Sequence, residues 1–398
     1  MGRCLTCAGE IVCQHQRKFF KEFHVKHFFK YFFTKIVFSV LCLLGVTFSF
    51  QPVTEAGMIS EKQEIEMGRA AAQQIEARYG VINDPQVTDR VNRIGQSLVD
   101  VCGRKNLKYT FKVLNTEDIN ARACPGGYIY VFKGLLDYMP SDAELAGVLG
   151  HEIGHVVKRH TVHQIEKNMW TQIVAILAGV ASGNGDVLAM GMVVGNALAA
   201  GYSRADESAA DREGFAYTVK AGYSPFAMLV TMHKLQELAA EYGNPGWGIF
   251  DSHPDPAQRI RNLYKLMDPL KMTPSPVADS DGTASVKETF GNNGDAWSFR
   301  IAVAAGGNKP MYRAELLAGA LYQIRQKGMI EPSHFIVFEA YDKADIYYED
   351  IQLFTVYKQD TAGFAGIGAC AADCVERFRD WAEKVNKIKN VAKQAKFV

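Results

Sequence analysis

Three residues, His151, Glu152 and His155, stand together in the run HEIGH. On a helix, residues four apart share a face about one turn apart, so both imidazoles can reach a single ion. Glu152 lies on the flank of that face, near a water on the ion but not bound to the ion itself. Zinc lowers the pKa of such a water towards about 7 and polarises a carbonyl, while the carboxylate takes the water proton and passes it to a leaving amine. The pattern points to metal-assisted hydrolysis of a peptide bond. With ten histidines in 398 residues, a chance HExxH has a probability on the order of one per cent. The plain alternative is a surface histidine pair on an amphipathic helix. It fits poorly, because the motif lies mid-helix in apolar sequence, where buried histidines and a buried glutamate need partners.

A catalytic zinc site takes a third protein ligand and keeps one position open. The run RADESAAD, residues 204–211, offers Glu207 and Asp211 on one helical face. Glu207 can ligate the ion, and Asp211 can accept the free N–H of a ligating histidine. Alone, these two acids would read as a solvated helix face; with HEIGH upstream the ligand reading is the better one.

The elements that must position these residues are legible. Residues 141–160 read as a helix opened by a Ser141/Glu144 capping box, with Leu145, Leu149, Ile153 and Val156 facing a core. Residues 58–80 form a capped helix, and a second runs through Val87, Val91, Ile94 and Leu98. Residues 109–115 and 127–132 read as strands, with a turn at Pro125, Gly126 and Gly127. A further helix covers about 203–220. The apolar stretch 169–200, broken at 182–186, reads as a hairpin packed in the protein or touching a membrane surface, each half being shorter than a bilayer span.

Residues 273–287 are polar, small and proline-containing, and read as a linker. Beyond it the pattern predicts strands at 297–304, 334–340 and 346–358 and helices at 311–327 and 374–391, the last with Val375, Phe378, Trp381, Val385 and Ile388 on one face. There is no repeat period. The predicted class is α+β: a mostly helical domain with a small sheet at 57–272, then a smaller α+β domain at 288–398.

The 48% hydrophobic content is that of a globular chain, and a net charge of +1 argues against nucleic acid as a partner. Residues 1–35 form a basic leader, and an uncharged apolar run follows within 36–56. That run is short for a spanning helix, so a cleaved secretory signal is favoured over a retained membrane anchor. Export would place the protein in the periplasm or cell envelope. Cys102, Cys124, Cys370 and Cys374 follow the leader. An exported protein can pair them, in three connectivities that sequence does not separate.

Four signatures, in order, resemble the metallopeptidase family of the CAAX prenyl proteases, the mitochondrial Oma-type protease and the bacterial BepA-like proteases. They are NARACPGGYIYVFKGLL (120–136), HEIGH, GYSRADESAAD (201–211) and HPDPAQRI (253–260). The resemblance covers about residues 58–267. It implies a gluzincin fold, one Zn2+ per chain bound by His151, His155 and Glu207, and Glu152 as general base. It implies that an extended peptide docks on an edge strand through Gly126, Gly127, Tyr128, Ile129 and Tyr130; an internal strand is the alternative. His253 would stabilise the oxyanion or approach the zinc as an inhibitory fourth ligand, its plain reading being a loop histidine before Pro254. Arg204 and Arg259 read as structural ion-pair formers. Arg122 and Cys124 depart from the family, standing where many members carry apolar residues.

Two functions compete. One is an exported endopeptidase acting on unfolded or misassembled envelope proteins. The other is an envelope chaperone or assembly factor with a latent protease site. A membrane-embedded prenyl-protein protease fits less well, because the chain lacks several long apolar spans.

Overall fold

The computed structural model describes residues 58–168, 186–242, 253, 256–291 and 294–394. The leader, the apolar run after it and the first half of the expected apolar hairpin lie outside these residues. Helix α1, Glu61–Tyr79, starts at a reciprocal Ser60/Gln63 capping box and ends at Gly80, whose φ of 71° suits a residue without Cβ. A short strand β1, Val81–Ile82, precedes α2, Pro85–Val99, which is capped by Asp84 and starts with proline where no N–H is needed.

Strands β2 (Thr110–Leu114), β3 (Ala121–Cys124) and β4 (Tyr128–Phe132) complete a four-stranded sheet in the order β1-β2-β4-β3. The order corrects one expectation. β4 is an inner strand, parallel to β2 and antiparallel to β3, so both its edges are already hydrogen-bonded. Ile129 and Tyr130 are buried. Strand addition at Tyr128–Ile129–Tyr130 is therefore closed off, and among the described residues the edge strands of this sheet are the short β1 and β3.

Helices α3 (Lys133–Tyr138), α4 (Asp142–Val157), α5 (His160–Lys167), α6 (Asp186–Ala199), α7 (Arg204–Lys220), α8 (Ala227–Tyr242) and α9 (Pro256–Met267) follow. The sheet separates two apolar layers. Ala123, Ile129 and Val131 face Leu145 and Leu149 of α4, while Cys124, Tyr130 and Phe132 face Ala71 and Ala72 of α1 and Val193 and Val194 of α6. Every residue of α4 from Glu144 to Val156 is buried. It is a central helix rather than one with a single apolar stripe.

Residues 273–287 are not a linker. They carry β5 (Ser275–Ala278) and the start of β6 (Ala284–Phe290), which pair with each other and with β7 (Asp295–Ile301). Helix α10, Pro310–Gln326, and a second antiparallel sheet of β8 (Phe335–Glu339), β9 (Lys343–Tyr348) and β10 (Ile351–Tyr357) lead to the long α11, Ile367–Gln394. The expected single strand at 346–358 is thus the end of β9, a turn with Glu349 at φ 52°, and β10.

Val286, Phe299, Leu317 and Phe378 belong to the same apolar cluster as Leu145 and Leu149, and the described residues form one compact unit. Asn308 Nδ2 reaches back to donate to Glu144 Oε2 at 3.1 Å, and Lys234 Nζ meets Glu144 Oε1 at 2.7 Å. The four described cysteines are buried free thiols. No helix among the described residues is long and apolar enough to cross a membrane.

Candidate metal centre

The site is built on the contact between α4 and α7. Gly150 and Gly154 of α4 lie against Gly214 and Ala210 of α7. A Cβ on Gly154 would stand 2.7 Å from the Ala210 carbonyl oxygen, and one on Gly214 would stand 2.7 Å from the Gly150 carbonyl carbon. Backbone meets backbone without side chains between, which lets short side chains on the two helices converge.

They converge on one point. His151, His155, Glu207 and His253 each offer a donor atom, all within 4.8 Å of one another, and all four residues are buried. His155 Nε2 lies 3.0 Å from His151 Nε2 and 3.3 Å from Glu207 Oε1. His253 Nδ1 lies 3.1 Å from His151 Nε2 and 3.0 Å from Glu207 Oε1. Donors held about 2.0–2.1 Å from a tetrahedral ion sit about 3.3 Å apart. Three imidazole nitrogens and a carboxylate oxygen packed this closely, away from water, have more lone pairs than protons to share. A divalent cation fits that donor set.

The protonation states suit it. Burial holds the His155 imidazole well below its usual range, with Glu207 too weak to restore it, so the ring is neutral and its lone pair free. Burial pushes the Glu207 carboxyl up, but the facing His253 and the Arg259 guanidinium outweigh burial and keep it ionised. Asp211 is likewise pushed up by burial and held well below its usual range by Arg259.

Each ligand candidate has a support. His151 Nδ1 lies 2.9 Å from Asp211 Oδ1, and Arg259 grips Asp211 with Nε at 2.8 Å and Nη2 at 2.7 Å. Arg259 Nη1 also stands 2.8 Å from Glu207 Oε2, too bent for a hydrogen bond but close enough for ionic contact. His155 Nδ1 meets His160 Nδ1 at 2.9 Å, and its ring stacks on Tyr202 at 3.8 Å. His160 gets there because Arg159, at φ 55°, turns the chain back between α4 and α5, its guanidinium pinned by Glu64 and the Ile59 carbonyl. Neither His160 nor Tyr202 was singled out from sequence. The signal for His160 was only a histidine five residues beyond His155.

Glu152 is buried beside the cluster. Its Oε1 stands 3.5 Å from His253 Nε2, and its Oε2 has no hydrogen-bond partner. A buried carboxylate oxygen without a donor is costly, and here it stands beside the donor cluster, free to take a proton. Gly126 and Gly127, with φ of 74° and 88°, form the tight turn between β3 and β4, and the Gly126 N–H points to Glu64 Oε1 at 3.4 Å. A small cleft at the end of β3 is lined by Ala123, Cys124, Pro125, His155 and Thr161.

The model of peptidase family M48 matches residues 85–267. The metalloprotease YcaL of Escherichia coli K12 is 31% identical over 186 residues, covering 45% of this chain and 72% of that protein. The beta-barrel assembly-enhancing protease of the same organism is 30% identical over 230 residues, 54% of this chain and 47% of that protein. The mitochondrial metalloendopeptidase OMA1 of Arabidopsis thaliana is 33% identical over 159 residues, 40% of this chain and 32% of that protein. The chain thus spans about half the length of the assembly-enhancing relative.

Proposed function

The chain belongs to peptidase family M48, and on that premise we propose that it is a zinc-dependent endopeptidase of the cell envelope, acting on unfolded or misassembled proteins. His151 Nε2, His155 Nε2 and Glu207 Oε1 would hold the zinc. When bound, zinc supplies Lewis acidity that polarises the scissile carbonyl and acidifies water. Glu152 takes the proton of the attacking water and delivers it to the leaving amine, its bare Oε2 being the acceptor. Asp211 and Arg259 fix the His151 ring from behind. The substrate lies extended along the open edge of β3, which runs towards His155. The envelope assignment draws on the basic leader with its apolar run and on the likeness to the beta-barrel assembly-enhancing protease.

One observation carries this reading: an orphaned buried carboxylate oxygen beside four converging metal donors. It is tested by metal analysis and casein hydrolysis on wild type and Glu152→Gln together. The variant is expected to keep its zinc and lose cleavage. Casein hydrolysis by the variant at the wild-type rate would falsify the mechanism.

A second reading is favoured by His253, whose Nδ1 sits inside the donor cluster. There it would fill the fourth position and hold the protease latent, leaving a chaperone or assembly role. A His253→Ala protein that gains activity supports latency; unchanged activity and zinc content exclude it.

A further inference from the structure

Arg122 sits on the open edge of the sheet without a counter-charge. Among the described residues its side chain makes no hydrogen bond, ion pair or ring contact, and its Nε is buried without an acceptor. Other buried or half-buried arginines are neutralised: Arg90 by Asp142, Arg104 and Arg159 by Glu64, Arg259 by Asp211 and Arg313 by Asp360. The carboxylate reached from the same face of the sheet, Glu76, is already engaged by the Tyr130 hydroxyl at 2.7 Å and Lys112 Nζ at 2.8 Å. A buried N–H left without an acceptor costs stability, and a ligand that supplies an acceptor there recovers it.

Its position says which ligand. β3 pairs only with β4 among the described strands, with Arg122 opposite Tyr130 and Cys124 opposite Tyr128. Arg122 and Cys124 therefore share a face, and Cys124 borders the cleft that opens on His155. Burial raises the Cys124 thiol against the opposing charge of Arg122, and the Glu152 charge adds a smaller rise, so Cys124 lies within reach of both groups. Arg122 is two residues back along the strand, about 6.6 Å at the usual rise. A peptide added to this edge would set a side chain beside Arg122 on the same face, one or two residues from the bond over the metal.

We propose that Arg122 is a specificity-determining residue that selects an aspartate or glutamate side chain of the substrate near the cleaved bond. This rests on the proposed peptidase reading. Complementary charges of this kind set selectivity more than overall affinity.

The test uses matched extended peptides carrying Glu, Ala or Lys at each position around the cleaved bond. Values of kcat/KM are measured for wild type, Arg122→Met and Arg122→Glu. At one position wild type should favour Glu over Lys by roughly five- to tenfold. The ratio should fall to about one in Arg122→Met and invert in Arg122→Glu. A variant that merely folds poorly lowers all peptides alike and leaves the ratios in place. In parallel, binding of the labelled peptides to Glu152→Gln protein, with and without Arg122→Glu, is read by fluorescence anisotropy. If no peptide is cleaved, the peptidase reading fails, and the anisotropy ratios still decide the role of Arg122. Absence of any Glu preference in both assays, or its survival in Arg122→Met, overturns the proposal.

Discussion

His160 Nδ1 lies 2.9 Å from His155 Nδ1, so one imidazole orients another. Burial lowers His160 to about 4, which leaves it neutral at physiological pH and able to accept the His155 Nδ1 proton. That bond turns His155 Nε2 towards the cluster. Supports of this kind are worth about 10- to 100-fold in metal affinity. His160→Ala should lower zinc affinity by about that factor in chelator competition, while His160→Gln, which keeps an acceptor, should recover part of it. Equal zinc affinity in wild type and His160→Ala would remove His160 from the site.

Gly154→Ala tests the helix contact. The new methyl would meet the Ala210 carbonyl oxygen at 2.7 Å. Overpacking of this sort costs about 1–3 kcal/mol. Because α7 carries Glu207 and Asp211, zinc affinity should drop together with stability. Thermal unfolding with and without zinc checks both; a variant as stable as wild type, with full metal content, would show that α4 and α7 can separate freely.

Lys234 and Glu144 form a buried ion pair at the start of α4, each side chain nearly inaccessible. Lys234→Met would leave Glu144 charged and short of its main partner, a defect worth about 3–5 kcal/mol. Urea unfolding should show the loss. A change below about 1 kcal/mol would mean that Ser141 and Asn308 alone satisfy the carboxylate.

Glu315 on α10 is buried with Oε2 unpaired, and burial pushes its carboxyl up to about 7. An unfolded chain releases that proton near 4.5. The folded value is the higher one, so stability is full below the unfolded value and falls as pH rises towards about 7. The loss amounts to about 3 kcal/mol and is constant above that. Glu315→Gln should therefore be the more stable protein at pH 8, with the gap closing by pH 5. A gap that does not vary between those pH values would mean Glu315 finds a partner in solution.

The local part of the site was legible. HEIGH and the Glu207–Asp211 spacing each lie within one helix, and helical periodicity alone places their side chains. Arg259 read as an ion-pair former, but its approach to both Asp211 and Glu207 depends on α9 folding back over α7, which no local pattern encodes. His160 depends on a left-handed Arg159, held by Glu64 from a distant helix. The resemblance implied an edge position for β4 and left an inner strand as the alternative, because a β-branched, aromatic run looks the same in both. Residues 273–287 read as a linker because small polar residues and proline dominate them, yet β5 is an exposed edge strand where such residues are tolerated.

The hairpins after residue 273 and the helix α10 help complete the interior that α4 shares, and Asn308 closes the cap of α4 itself. The C-terminal third is thus a keystone and not an appendage. A gene truncated after residue 272 would encode a protein with Leu145 and Leu149 deprived of part of their packing and a broad greasy face open to self-association. Transplanting this third onto another peptidase would mean rebuilding the seam along Glu144, Lys234 and Asn308, the residues that steady the helix on which the imidazoles ride.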